Sequence, residues 1–104
     1  MSNDKTRTSD SLARGLRVLK ALKGHTLYGL SNGELAKALD MSPATVNRVL
    51  NTLIAEGYAV KLDTGRFAPG MALLQIAQAT ANELDNAATR IRETNQRIAA
   101  GAGC

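Results

Sequence analysis

The side chains best suited to recognition chemistry lie close together, between Ser42 and Asn51. Ser42, Ala44, Thr45, Asn47, Arg48 and Asn51 bring hydroxyls, amides and one guanidinium, with no carboxylate among them. Guanidinium and amide groups pair with base edges in a DNA major groove, and a residue as small as Ala44 lets a helix come close. Val46, Val49, Leu50, Leu53 and Ile54 recur at helical spacing on the other side. Ser42 is a good N-cap, Pro43 suits the first helical position, and Gly57 supplies a left-handed residue to end the helix. An ordinary amphipathic surface helix has the same periodicity, so the neighbouring elements must decide between the two.

Enzymatic constellations lack their parts. His25 is the only histidine and stands beside Gly24, whereas a metal site needs several ligands at set spacings. Gly33 and Gly70 come without the Lys and Ser/Thr of a phosphate-binding loop. Glu34 suits a helix cap, and Asp40 and Asp63 suit turns. Cys104, the last residue, is the single cysteine, so neither a disulfide framework nor a cysteine metal site is available. No catalytic residue, metal or cofactor is expected. The N-terminus has no apolar signal region and no apolar run approaches a membrane span, so the expected location is the cytoplasm.

The elements around the recognition stretch favour the DNA reading. Residues 1–9 are polar and expected to form a disordered arm carrying Lys5 and Arg7. A first helix is expected from Asp10 to Lys23, with Leu12, Leu16, Leu19 and Leu22 as its buried stripe and Gly24 as its stop. His25 to Leu30 reads as a connector ending in an extended piece. Ser31-Asn-Gly-Glu34 matches a capping box, and Leu30 and Leu35 form the accompanying hydrophobic staple. The second helix carries Leu35, Ala36 and Leu39 inward and ends near Asp40. A three-residue turn, Asp40-Met-Ser42, leads into the third helix, which makes a helix-turn-helix. Tyr58–Leu62 and Arg66–Ala68 read as strands joined by the loop Asp63-Thr-Gly65. That hairpin is a wing, with Lys61 and Arg66 flanking its tip and placed to track phosphates. The predicted fold is mainly α with a small β-hairpin: a winged helix-turn-helix over residues 10–70.

This order of elements resembles the DNA-binding domain of IclR-type bacterial transcription regulators. The resemblance runs through Ser11-Leu-Ala-Arg-Gly-Leu-Arg-Val-Leu-Lys-Ala-Leu22 and Leu30-Ser-Asn-Gly-Glu-Leu-Ala36. It continues through Met41 to Tyr58 and Gly65-Arg-Phe-Ala-Pro-Gly70. It implies a dimeric winged helix that binds double-stranded operator DNA, with Thr45, Asn47 and Arg48 on the groove-facing start of the third helix. Ala68-Pro69 departs from the polar-then-aliphatic pair usual at the end of the wing. Family members continue into an effector-binding domain, whereas one more helix follows here. The expectation is therefore a compact repressor of phage or mobile-element type, acting without a small-molecule effector.

The remaining helix, expected over residues 71–100 ahead of a frayed 101–104, carries a heptad seam. Leu74, Ala81, Ala88 and Asn95 occupy a positions; Ala77, Leu84, Ile91 and Ile98 occupy d. Asn at an a position favours two strands in fixed register, so a dimerisation helix is expected. The competing arrangement folds it back onto its own domain. The net charge of +4 also points to a polyanion. Residues 1–66 hold ten cations against six anions, while residues 67–104 are balanced. Two other readings remain: a protein-interaction or assembly module built on a winged helix, and a non-specific architectural DNA binder.

Overall fold

The computed structural model describes residues 6–102. The order is α1 (Asp10–Ala21), α2 (Asn32–Leu39), α3 (Pro43–Ala55), β1 (Ala59–Lys61), β2 (Phe67–Pro69) and α4 (Met71–Ala102). It is a winged helix-turn-helix followed by a long helix. The chain forms two compact units, Met1–Leu73 and Leu74–Cys104. Lys5 of the expected arm and the thiol of Cys104 lie outside the described residues.

Short-range hydrogen bonds set the helix ends. Ser9 caps α1, its hydroxyl accepting from Leu12 N–H at 3.2 Å, so the helix is anchored one residue before the expected start. At α2, Ser31 Oγ accepts from Glu34 N–H at 3.1 Å and Glu34 Oε1 accepts from Ser31 N–H at 2.8 Å. That is the full capping box. Asp40 then turns left-handed (φ 54°) and lets the chain reverse into α3.

Val18, Leu22, Leu35, Val46 and Leu50 are the largest fully buried side chains, joined by Ala36, Ala59 and Phe67. The three helices thus close over one face of the hairpin. The buried stripe of α1 differs from the expected run of leucines. Leu22 is buried and Leu19 half-buried, but Leu12 and Leu16 are 62% and 46% exposed and Val18 takes the central place. The first turns of α1 leave an open apolar groove of about 390 Å³, where Leu12 and Leu16 face Val49 and Leu53 of α3. Helical spacing read over the leucines alone missed Val18 and did not show how much of the length of α1 its neighbours would cover.

The hairpin is antiparallel, with Ala59 opposite Pro69, Val60 opposite Ala68 and Lys61 opposite Phe67. Leu30 adds a third rung: its N–H donates to Phe67 O and Phe67 N–H donates to Leu30 O, both at 2.8 Å. Gly29, at φ +69°, has Phe67 O where a Cβ would sit. Only glycine fits there without displacing the bridge.

In the second unit α4 stays helical through Gly101 to Ala102, past the expected end at residue 100. Its seam side chains are exposed, among them Leu84, Ile91 and Ile98 at 66%, 62% and 64%. No helix among the described residues is long and apolar enough to cross a membrane.

Candidate nucleic-acid interface

The face of α3 turned away from the core is polar and open. Ala44, Asn47, Arg48, Asn51 and Thr52 are exposed and Thr45 is half-buried, while Val46 and Leu50 on the reverse are sealed. Among the described residues, Asn47, Arg48 and Asn51 make no side-chain hydrogen bond or ion pair within the chain. Their donors and acceptors are free to meet an incoming surface. No acidic residue lies in the first turn of α3, so the positive end of the helix dipole is not neutralised locally.

Ser42 organises the start of this helix. Its Oγ accepts from Thr45 N–H at 3.1 Å and donates to Thr45 Oγ1 at 2.9 Å. Thr52 turns inward on its own helix, its hydroxyl donating to Arg48 O at 3.1 Å. Asn32, at the first position of α2, donates from Nδ2 to Pro43 O at 3.2 Å. That bond links the start of α2 to the first turn of α3. Its partner is a backbone carbonyl eleven positions away, which no periodicity or motif marks.

The two wing cations differ in their surroundings. Lys61 is exposed on β1, its ammonium 5.9 Å from the centroid of the Phe67 ring, at the outer limit of a cation–π contact. Arg66, expected beside it as a phosphate contact, is turned inward. Its Nε donates to Tyr28 O at 2.9 Å and its Nη2 to Gly29 O at 3.1 Å. The same Nη2 lies 2.8 Å from Glu34 Oε1. Arg66 therefore ties the wing to the connector and to the start of α2. The Ser31 backbone amide, above all, holds the Glu34 carboxyl below its ordinary 4.5. The Ser31 hydroxyl and the Arg66 charge add to that effect, together outweighing the loss of water around the group.

The geometry has counterparts among known proteins. The model of the IclR helix-turn-helix domain matches residues 11–63. Among solved structures, Pseudomonas aeruginosa HmgR is similar at 29% identity and a TM-score of 0.65, over 74% of this chain and 33% of that one. An IclR transcriptional regulator from Alicyclobacillus acidocaldarius matches at 29% and 0.65, over 72% of this chain and 30% of its own. An IclR-family transcriptional regulator from Brucella abortus matches at 26% and 0.63, over 75% and 30% respectively. The chain thus spans about a third of the length of these regulators. No curated protein matches it.

Proposed function

The chain belongs to the IclR helix-turn-helix family, and on that premise we propose that it is a homodimeric, sequence-specific regulator of transcription that binds duplex DNA. The observation that carries this reading is the outward face of α3. It presents Asn47, Arg48 and Asn51 without side-chain partners among the described residues and without a carboxylate to repel phosphate. Set into a major groove, Arg48 and Asn47 reach base edges or the adjacent backbone, Asn51 reads one turn further on, and Ala44 gives clearance. Ser42 and Thr45 lie at the amide-rich start of the helix, where phosphate oxygens are also welcome. Lys61 is the wing residue placed to follow the backbone, adding affinity that falls with salt.

Two such helices come from two copies joined through the seam of α4, from Leu74 to Ile98. The matching DNA is an inverted repeat with half-sites about one helical turn apart. Repression follows from occupancy of a promoter. Selection of bound fragments from a random duplex library, at near-physiological salt with excess competitor DNA, tests the reading. An enriched inverted repeat is expected. Weak binding that enriches no sequence and vanishes as salt rises would leave only the phosphate attraction and overturn it.

A further inference from the structure

We infer that α4 pairs with its copy head to tail, in the register that sets Asp85 against the partner's Arg92. The inference rests on the proposed homodimer and gives its seam a direction. The side-chain charges of the helix divide at its middle. Residues 74–89 carry Glu83 and Asp85 alone, a net −2; residues 90–104 carry Arg90, Arg92 and Arg97 against Glu93, a net +2. Asp85 and Arg92 are exposed, and neither forms an ion pair among the described residues. Arg92 gives one N–H to Thr89 Oγ1 at 3.1 Å and keeps its other donors. Two parallel copies would lay acidic half beside acidic half and basic half beside basic half. Their flanking positions would bring Asp85 to Thr80 and Arg92 to Ala87, so neither charge would meet its opposite. Reversing one copy lays the acidic half over the basic one.

The apolar seam agrees on direction and register. With the two-fold axis between residues 89 and 90, where the charge changes sign, Ala81 faces the partner's Ile98 and Ala88 the partner's Ile91. Small then meets large in each of these layers, which fills a seam evenly. Parallel pairing would stack Ala81 and Ala88 on their own copies and Leu84 and Ile91 on theirs, thin layers alternating with thick. Asn95 is the one layer it favours, Asn against Asn. In the reversed pair Asn95 faces the partner's Leu84, with the partner's Asp85 next along the chain to receive its amide. A slip of one heptad keeps the direction but sets Asp85, or Arg92, against its own copy. The charges therefore pick one register among the reversed ones.

Cysteine pairs read direction and register together. In a Cys104→Ser background, A81C and I98C chains are mixed, allowed to exchange and oxidised. The disulfide between the two variants is expected to dominate. In a parallel pair the two positions would lie about 26 Å apart along the helix axis, beyond the reach of a disulfide, and each variant would cross-link to itself instead. Such self-links would overturn the inference. So would the absence of any cross-link in a chain that sedimentation equilibrium shows to be dimeric. Either result leaves the homodimer standing, whereas a chain that stays monomeric throughout removes both. Charge exchange tests the ion pair directly. D85R and R92D are each expected to raise the dimer dissociation constant about three- to tenfold, as two attractive pairs turn repulsive. D85R/R92D should return it to the wild-type value, because the pair is rebuilt in reverse. A double variant no tighter than the single ones would overturn the register.

Discussion

Arg48 and Arg66 carry the same guanidinium into opposite circumstances. Arg48 has no internal partner among the described residues, so its removal should leave the fold alone and weaken specific binding by about 1–3 kcal/mol, measured by titration of the selected duplex. Arg66 bonds two backbone carbonyls and Glu34. Arg66→Ala should lower stability by about 1–2 kcal/mol in urea unfolding, the value of charged hydrogen bonds discounted for partial exposure. Lys in its place cannot restore the fork, because a single ammonium does not span the same acceptors. Glu34 adds a pH dependence of definite sign. Its folded value is depressed, so its contribution is present above its ordinary 4.5 and lost as pH falls through the lower folded value. The melting temperature should decline over that acid window in the wild type and decline less in Glu34→Gln. The type and spacing of Arg66 suggested a wing contact because two of its partners are main-chain atoms 37 and 38 positions back. Sequence pattern records side chains and leaves such partners unmarked.

At the scale of elements, what could be read was whatever is decided within one turn. The capping box of Ser31 and Glu34 involves two residues three apart, and their types alone dictate the bonds. Gly57 and Gly65 adopt the left-handed backbone expected of them. The uncovered first turns of α1 were not legible, because the depth to which Leu12 and Leu16 are buried depends on where α3 crosses. The place of Gly29 was likewise hidden, since its constraint comes from Phe67 on another element. Gly29→Ala combines a left-handed backbone with a collision at Phe67 O, and should destabilise by about 2 kcal/mol or more. The urea midpoint would fall with the slope unchanged if the substitution acts on the folded state alone. Loss of that much stability should also loosen the bridge between Leu30 and Phe67, visible as faster amide exchange at both residues.

At the scale of the whole molecule, the proposed dimer joins a basic DNA-binding unit to a helix with an exposed apolar seam. Ile91→Asp would set a carboxylate in the middle of that seam in both copies. Its expected effect is about 100-fold or more on the dimer dissociation constant in sedimentation equilibrium. Binding to an isolated half-site should be unaffected. Each copy also joins the wing to distant parts of the chain, since Arg66 reaches back 38 positions to Tyr28 and Phe67 pairs with Leu30. Closing so long a loop costs more chain entropy than the three-residue contacts that cap the helices. We predict that the capped helices form before the hairpin docks, a folding order that unfolding and refolding rates of Arg66→Ala would read. Weakening the brace would shorten the lifetime of the folded state far more than it would slow the chain's arrival there.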